Sequence, residues 1–298
     1  MIDLREKLEA YAEVETDKCF KDMTTLRIGG KVKYTVYPKN VTALCEVLRV
    51  LQSEDVPFKL LGKGSDLLCS DRPYSGAVIK LDRYFNQSYI CGTRLVAEAG
   101  CSIIALSVEA MKHGLSGLEF ASGIPGTLGG TLFMNAGAYR ASMADVVTEV
   151  CVYHDRKVFW MSNEECAFAY RTSFFQTHTD YIILAAAFEL TEKDSVEIDA
   201  LMTDRRRRRM ASQPLDKPSC GSVFRNPGDQ NAWSLIEGIG YRGKSVGGAM
   251  VSDKHCNFIV NTGNATADDY AALVDEIKEK VFEKYGVRLE TEMEKFNW

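Results

Sequence analysis

Alternating apolar and polar positions along the chain predict short strands separated by amphipathic helices. Val32 to Tyr37 and Pro57 to Leu61 each have the pattern of a strand. Between them, Asn40 is placed to cap a helix whose apolar positions 44, 47, 48 and 51 share one face. These elements predict a β-α-β unit that ends in the turn-rich stretch Ser70 to Ser75.

The same mixed pattern continues beyond this unit. Ser102 is predicted to cap a helix that ends near Gly114. A polar linker is predicted at Thr191 to Ser195, followed by a helix over Ile198 to Met210 and a short helix over Ala232 to Glu237. Strands are predicted at Ala77 to Ile79, Arg94 to Ala97, Val146 to His154, Val158 to Met161, Tyr181 to Leu190 and Asn257 to Asn261.

The last helix is marked at both ends. Thr266 and Asp269 have the spacing of a capping box, and Gly286 follows the apolar stripe as a helix end. Leu289 to Lys295 is predicted as a final strand. Many short strands mixed with helices predict an α+β or mixed α/β protein, and 298 residues suffice for two or three domains.

Composition and charge narrow the range of partners. The chain is 46% hydrophobic and 26% charged with a net charge of −5, so its bulk electrostatics do not favour a nucleic-acid partner. No apolar run approaches the length of a membrane span, and the charged N-terminus lacks the apolar core of a secretion signal. We therefore expect a cytoplasmic protein without a membrane or nucleic-acid partner.

The cysteines and histidines do not have metal-ligand spacing. The nine cysteines include no C-x-x-C pair, and the four histidines are scattered. We expect reduced thiols and no metal site, because an odd cysteine count without an export signal argues against disulfides.

The densest chemical signal is the glycine-rich block from Gly114 to Tyr139, which holds seven glycines and no Lys, Arg or Asp. Glycine loses backbone entropy on folding, so such a run needs a reason. One reason is a backbone whose N–H groups approach a phosphate closely, and the other is a series of tight turns. Glycine density alone favours the phosphate interpretation only slightly.

Three shorter motifs are ambiguous by themselves. Gly62-x-Gly64 follows a predicted strand, but Leu67 occupies the third glycine position of a dinucleotide motif. Gly238 to Ser245 matches the P-loop pattern literally, yet a helical segment precedes it and glycines follow, which is the wrong context. Arg205 to Arg209 spread around a helix, which favours a solvated helix end or a clamp for a phosphate-bearing ligand over one basic face.

Several longer segments together resemble the UDP-N-acetylenolpyruvoylglucosamine reductase (MurB) family. They carry motifs such as Leu-Gly-Lys-Gly-Ser-Asp at 61–66, Tyr-Arg-Thr-Ser at 170–173 and Gly-Ser-Val-Phe-Arg-Asn-Pro at 221–227. The matching segments, in chain order, are 24–30, 61–68, 114–139, 170–175, 213–214, 221–227, 247–249 and 290–293. The chain is similar to the shorter form of this family, since no tyrosine-bearing insertion fits between Leu190 and the arginine-rich helix.

The resemblance implies an α+β architecture. It consists of a two-subdomain FAD-binding fold, like that of the vanillyl-alcohol-oxidase (PCMH) flavoproteins, and a C-terminal α+β substrate-binding domain. The implied boundaries are 1–75 and 76–195 for the two FAD-binding subdomains and 196–298 for the substrate-binding domain. FAD would lie between the two subdomains, and the protein would be a monomer.

The resemblance also implies the cofactor contacts, which agree with the glycine argument. The diphosphate of FAD would lie on two glycine-rich segments, and NADPH would be the reducing co-substrate. The implied cofactor-binding residues are Gly62, Lys63, Gly64, Ser65, Asp66, Ser122, Ile124, Pro125, Gly126, Thr127, Gly129, Gly130, Asn135 and Gly137.

The implied reaction reduces UDP-N-acetylglucosamine enolpyruvate to UDP-N-acetylmuramate for peptidoglycan and cell wall synthesis, a process tied to cell shape and cell division. Hydride would add to the β-carbon of the enol ether, and Ser222 would protonate the α-carbon. Arg171 and Glu292 would stabilise the enolate-like charge. By themselves, these three would pass for a turn serine, a surface arginine and a solvated strand glutamate. Tyr170, Asn226 and Arg225 would contact the substrate.

The chain departs from the family pattern at four positions. Lys63 stands in place of a usual glycine and Asp66 in place of a usual asparagine, while Lys217 and Met250 also differ. Asp66 would bring a negative charge near the diphosphate, which leaves the details of cofactor contact open. Two alternatives remain at this point, namely another FAD-dependent oxidoreductase of the same fold and a P-loop nucleotide-binding protein.

Overall fold

The computed structural model describes residues 3–298. The helices are α1 (Leu4–Glu9), α2 (Val41–Ser53), α3 (Ile103–Lys112), α4 (Leu128–Phe133), α5 (Ser195–Ser212), α6 (Ala232–Gly238) and α7 (Ala267–Tyr285). Short 3₁₀ turns lie at Phe20–Asp22, Glu119–Ala121, Met143–Asp145 and Phe174–Gln176. The strands are β1 (Ala12–Glu15), β2 (Val32–Pro38), β3 (Phe58–Leu60), β4 (Leu67–Cys69), β5 (Tyr74–Ile79), β6 (Ser88–Cys91), β7 (Arg94–Glu98), β8 (Leu115–Ser116), β9 (Gly137–Ala138), β10 (Ala141–Ser142), β11 (Val147–His154), β12 (Lys157–Ser162), β13 (Ile182–Glu189), β14 (Thr191–Glu192), β15 (Ser245–Val246), β16 (Ala249–Val251), β17 (Ile259–Asn261) and β18 (Glu294–Phe296).

The chain forms two compact units that interleave along the sequence. Unit 1 contains the described residues up to Glu15, Tyr34–Lys63 and Gly76–Arg208. Unit 2 contains Thr16–Lys33, Gly64–Ser75 and Arg209–Trp298. Each unit has its own buried apolar cluster, so each is described separately. The division into three consecutive domains stays a prediction.

Unit 1 is built around two sheets. One has the strand order β1-β2-β5-β3, and the other is the antiparallel sheet β12-β11-β13-β7-β6. In the first sheet β3 pairs with β5 in parallel, and Leu60 lies opposite Ile79. The predicted β-α-β connection is therefore present, but β5 lies between the two strands that it connects.

Helix α2 forms where its sequence pattern placed it. The Asn40 side chain accepts a hydrogen bond from the N–H of Ala43 at 2.9 Å and caps the helix. The apolar face at Leu44, Val47, Leu48 and Leu51 is almost fully buried in the core of unit 1. Burial of a leucine side chain contributes about 1.5–3 kcal/mol, so this face rather than helix propensity holds α2 in place.

Unit 2 combines a three-stranded sheet, β15-β16-β17, with helices α6 and α7. Thr266 and Asp269 form the predicted capping box of α7. Gly286 ends the helix in the left-handed conformation with φ 68°. The apolar stripe of α7, including Leu273, Val274 and Ile277, is fully buried.

Three elements differ from the sequence-based prediction. Leu289 to Lys295 is not one strand, because regular pairing is confined to β18 and an isolated bridge at Thr291. The predicted linker at Thr191 to Ser195 contains β14, and α5 already begins at Ser195. The glycine-rich block, for which no helix was predicted, contains α4. Helix α5 begins earlier than predicted because the Asp194 side chain accepts a hydrogen bond from the N–H of Val196 at 2.7 Å at its start.

All nine cysteines are free thiols, and six of them are buried. Among residues 3–298, no helix combines the length and apolarity that a membrane crossing requires. The same residues contain no group of three or more potential metal ligands.

Candidate active site

The two glycine-rich segments implicated in cofactor binding meet inside unit 1. A Cβ atom added to Gly62 would lie 2.3 Å from the Oγ1 atom of Thr127, which is too close for any side chain. Gly62 does not have a positive φ, so its backbone conformation does not require glycine. Residue 62 is glycine because Thr127 leaves no space for a side chain. The chain therefore brings together two segments that are 65 residues apart in sequence (127 − 62).

This region presents main-chain N–H groups. Within the described residues, the N–H groups of Gly62, Lys63, Gly123 and Thr127 donate to no protein acceptor. Thr127 is buried, and an unpaired buried N–H is costly unless a ligand or water accepts from it. Such a set of amides fits the diphosphate of a dinucleotide.

Close packing also accounts for Gly129 in α4. A Cβ atom on Gly129 would lie 3.1 Å from the Cβ of Ala99 and 3.3 Å from its carbonyl oxygen. The Thr127 hydroxyl accepts from the N–H of Gly130 at 3.3 Å and caps the helix. A side chain at residue 129 would therefore crowd Ala99, which would have to move by a few tenths of an ångström.

Two residues predicted to contact the cofactor use their side chains within the protein. The Ser122 hydroxyl donates to the carbonyl of Glu119 at 2.9 Å. The Asn135 amide nitrogen donates to the carbonyl of Ala169 at 2.8 Å, and its oxygen accepts from the N–H of Ala144 at 3.0 Å. Asn135 therefore supports the segment that carries Arg171, and cofactor contact by these two residues stays a prediction.

Arg171 lies at a tight turn in unit 1. Ala169 and Thr172 exchange main-chain hydrogen bonds across the turn at 3.1 and 3.2 Å. Arg171 itself adopts a left-handed backbone with φ 56°, which is a strained conformation for a residue with a side chain. Its guanidinium donates to the carbonyl of Gly137 at 3.0 Å and lies 5.4 Å from the centre of the Tyr170 ring.

Ser222 lies in a rigid stretch of unit 2. The preceding Cys220 is buried with its sulfur 3.0 Å from the Tyr270 hydroxyl oxygen. The N–H of Val223 donates to the carbonyl of Asn257 at 2.8 Å, and the Asn257 side chain bonds to both the N–H and the carbonyl of Phe224. Ser222 is half-buried, and its hydroxyl has no hydrogen-bond partner anywhere in residues 3–298. The hydroxyl is thus held in place and available to a ligand.

Glu292 lies beside this stretch. Its N–H donates to the carbonyl of Val223 at 2.8 Å, and Phe224 bridges to Thr291 in an antiparallel register. Burial raises the pKa of the Cys220 thiol to about 12, and the charges of Asp66 and Glu292 contribute to this rise. Unit 2 therefore brings Ser222 and Glu292 to neighbouring positions although 70 residues separate them in sequence (292 − 222).

The remaining predicted residues have simpler surroundings. Asn226 is exposed, and its side-chain oxygen accepts from the N–H of Ala232 at 3.0 Å, at the start of α6. The main-chain N–H of Arg225 donates to the carbonyl of Glu290 at 2.9 Å. Tyr170 is 58% exposed and free to meet a ligand. The substrate contacts of these three stay predictions.

The loop that begins at Gly62, here called the Gly62 loop, continues through Gly64, Ser65 and Asp66, which belong to unit 2. Gly64 has a φ of 59°, and its carbonyl accepts from the N–H of Thr25 at 3.1 Å. A side chain at this position would meet Thr24 at 2.8 Å. The main-chain carbonyl of the adjacent Asp66 accepts from the N–H of Glu294 at 3.1 Å. Gly64, Ser65 and Asp66 therefore lie in a loop that unit 2 fixes on both sides.

The literal P-loop match does not have P-loop structure. Helix α6 precedes Gly238 to Ser245, and the short strand β15 follows at Ser245. A P-loop joins a strand to a helix in the opposite order.

Sequence reasoning missed residues that support the site from a distance. Asn257 holds the Ser222 stretch, and Lys80 donates to the carbonyl of Gly62 at 2.7 Å. No local motif marks either residue, because each acts on a segment far away in sequence.

Comparison with known proteins matches this chain over nearly its whole length. Residues 213–296 match the family described as UDP-N-acetylenolpyruvoylglucosamine reductase, C-terminal domain, and residues 32–156 match an FAD binding domain. A protein of that reductase name from Anoxybacillus flavithermus is 41% identical over 298 residues, covering 99% of this chain and 98% of its own. One from Thermotoga sp. is 43% identical, covering 91% and 89%.

A solved structure supports the same assignment of the fold. The crystal structure of the UDP-N-acetylenolpyruvylglucosamine reductase from Thermus caldophilus superposes with a TM-score of 0.82 at 35% identity. The match covers 96% of this chain and 100% of that one.

Proposed function

Because the chain belongs to the UDP-N-acetylenolpyruvoylglucosamine reductase family, we propose that Ser222, Arg171 and Glu292 carry out the family's reaction here. The protein is an FAD-dependent oxidoreductase that reduces UDP-N-acetylglucosamine enolpyruvate to UDP-N-acetylmuramate in peptidoglycan precursor synthesis. Its reductant is a nicotinamide dinucleotide. The finer proposals are that this reductant is NADPH and that the enzyme is a cytoplasmic monomer.

Unit 1 supplies groups that fit FAD. Gly62 lies against Thr127, and in the described residues the four main-chain N–H groups of Gly62, Lys63, Gly123 and Thr127 are open to acceptors. When bound, FAD supplies the hydride that adds to the β-carbon of the enolpyruvyl group. Gly62, Lys63 and the segment from Gly123 to Gly130 would hold its diphosphate.

Ser222 is the proposed proton donor. Hydride addition at the β-carbon leaves an electron pair on the α-carbon, and the Ser222 O–H bond breaks as its proton moves to that carbon. Serine is a weak acid, but the carbanion is far more basic, and water can return a proton to the alkoxide. The observation that carries this proposal is a hydroxyl held on a rigid frame beside Glu292, without a partner in the described chain.

Arg171 and Glu292 are proposed to stabilise the enolate-like charge. A guanidinium has five N–H donors in a fixed geometry that matches a carboxylate, and one of the Arg171 donors bonds the carbonyl of Gly137. Glu292 can assist only when it is protonated or acts through a water, because an ionised carboxylate would repel the enolate. Tyr170, Arg225 and Asn226 are proposed contacts to the substrate.

The test is a Ser222→Ala variant examined in two half-reactions. We expect retained FAD, normal flavin reduction by NADPH, and flavin reoxidation by the enolpyruvyl sugar nucleotide that is slower by about 10²–10⁴-fold. Stopped-flow absorbance under anaerobic conditions measures both steps. Ser234→Ala is a matched control, since Ser234 is a helix serine of unit 2 whose hydroxyl donates to Asn231.

Two results would contradict parts of this proposal. Reoxidation at the wild-type rate in Ser222→Ala would exclude Ser222 as the proton donor. If the reduced wild-type enzyme is reoxidised by oxygen but not by the sugar nucleotide, the protein is another oxidoreductase on the same flavin fold.

A further inference from the structure

A buried lysine lies beneath the Gly62 loop in unit 1. Lys80 follows β5, and its ammonium donates to the carbonyl oxygen of Gly62 at 2.7 Å. The same ammonium lies 3.4 Å from Asp82, and only 10% of the Lys80 side chain is exposed. Burial lowers the pKa of Lys80, and the charge of Asp82 opposes that effect. Burying an ammonium is costly, so its position beneath a predicted ligand loop is notable.

The hydrogen bond from Lys80 fixes the orientation of the peptide group that joins Gly62 to Lys63. In a trans peptide the C=O and the following N–H point in opposite directions, and the chain contains no cis peptide among its described residues. Since Lys80 fixes the Gly62 carbonyl, the N–H of Lys63 is held pointing away from Lys80. That N–H donates to no acceptor in the described chain, so it is presented to a ligand.

The Lys63 side chain shares the same carboxylate. Its ammonium lies 3.6 Å from Asp82 and is 47% exposed. The neighbouring Arg83 pairs with Glu13 and Glu15. Lys63, Lys80 and Asp82, here called the lysine cluster, therefore place two ammonium groups on one carboxylate and leave one positive charge in excess.

We propose that the lysine cluster is a diphosphate-binding device in which Lys80 orients the loop amide and Lys63 moves its ammonium from Asp82 to the diphosphate of FAD. The proposal rests on the FAD binding argued above and extends it to Lys80 and Asp82. Lys80 remains to neutralise Asp82 after Lys63 leaves. Lys63 acts through charge at an exposed position, whereas Lys80 is a positioning residue.

These two roles predict different responses. Lys63→Gln should weaken FAD binding about fivefold at low salt and flatten its salt dependence, because an exposed charge is screened. Lys80→Met should weaken binding about tenfold or more at both salt concentrations, because the amide loses its orientation. Asp82→Asn should tighten binding a few-fold, since Lys63 no longer has to leave a carboxylate.

The experiment dilutes purified holoenzyme and follows the fluorescence of released FAD at two salt concentrations. ADP, which carries a diphosphate without a flavin ring, is then added as a competitor. Lys63→Gln should weaken ADP competition by the same factor as FAD binding. Lys157→Gln, a change at an exposed lysine of β12 in the same unit, is the charge-matched control. Thermal unfolding of each variant checks that it is folded.

The results distinguish a failure of the lysine-cluster proposal from a failure of the proposed flavoenzyme function. If Lys63→Gln has the same FAD affinity and salt dependence as Lys157→Gln, Lys63 does not bind the diphosphate. If Asp82→Asn binds FAD more weakly rather than more tightly, Asp82 does not compete with the diphosphate for Lys63. Because Asp82→Asn keeps Lys80, it still tests the lysine cluster if Lys80→Met fails to fold. A wild-type protein that binds no FAD would overturn the proposed function as well.

Discussion

Among single residues, Gly62 and Gly129 of the cofactor region are explained by space rather than by backbone conformation. Gly62, Gly126, Gly129 and Gly130 all lack a positive φ, so none of them is required by backbone conformation. At Gly62 and Gly129 a side chain would instead collide with Thr127 or crowd Ala99. The sequence shows how dense the glycines are. It does not show which neighbouring residue excludes a side chain at each position.

We expect Gly62→Ala to destabilise the protein by about 1–3 kcal/mol, because its methyl group would overlap the Thr127 hydroxyl. Thr127→Ala removes that hydroxyl, so the double variant should recover on the order of 1 kcal/mol of the summed cost. Urea unfolding of the four proteins measures this coupling. Gly130→Ala is the control, because its Cβ would lie at an ordinary 3.4 Å from the same oxygen. Strictly additive effects of Gly62→Ala and Thr127→Ala would disprove the contact.

Asn135 shows that a local motif does not reveal which protein groups a side chain contacts. Its place in the glycine-rich block suggests cofactor contact, but both ends of its side chain bond the protein. Hydrogen-bond partners that lie 34 residues away cannot be inferred from a local motif.

Asn135→Asp should slow turnover while leaving FAD affinity unchanged. The substitution turns the donor to Ala169 into a carboxylate oxygen that faces a carbonyl, and a lost buried bond of this kind costs about 1–3 kcal/mol. The turn that carries Arg171 should loosen as a result. Asn163→Asp makes the same chemical change at two other carbonyls of unit 1 and serves as control. Loss of FAD with normal turnover of the loaded fraction would instead support direct cofactor contact.

Among the elements, helices with marked ends were the most predictable. Asn40 before α2, and Thr266, Asp269 and Gly286 around α7, are local signals with local partners. Helix α4 was missed because two of its six residues are glycines, which disfavour a helix by about 1 kcal/mol each. The predicted final strand was too long because Leu289 and Met293 are buried in the core of unit 2, whereas their segment forms only an isolated bridge between Thr291 and Phe224.

The cap of α7 predicts a pH-dependent contribution to stability. Hydrogen bonds from the N–H and hydroxyl of Thr266 lower the pKa of Asp269 below its ordinary value of 3.8. The stabilisation by Asp269 is therefore fully present above that value and is lost as pH falls through the lowered pKa. Asp269→Asn should destabilise the protein at neutral pH, and its effect should shrink at acid pH.

Denaturant unfolding across this pH range measures the difference between wild type and Asp269→Asn. Asp268→Asn, which changes a neighbouring carboxylate in the first turn of α7, is the control for net charge. A difference that stays constant from neutral to acid pH would show that the capping carboxylate does not contribute through its charge.

For the whole molecule, the family could be identified from sequence while the assembly of the site could not. Motifs in the right order supported the reductase assignment, which the relatives confirm. The interleaving of the two units could not be predicted, because short segments such as Gly64–Ser75 join unit 2 from within the first third of the chain. Ser222 and Glu292 likewise become neighbours only through long-range pairing.

The central claim is that this protein reduces an enolpyruvyl sugar nucleotide with FAD and protonates its α-carbon from an exchangeable group. The most direct measurement reduces the enzyme with NADPH without oxygen, transfers it to heavy water, and adds UDP-N-acetylglucosamine enolpyruvate for a single turnover. We predict that the flavin returns to its oxidised spectrum and that UDP-N-acetylmuramate carries one deuterium at the α-carbon. A flavin that stays reduced, or a product without deuterium at that carbon, would contradict the account.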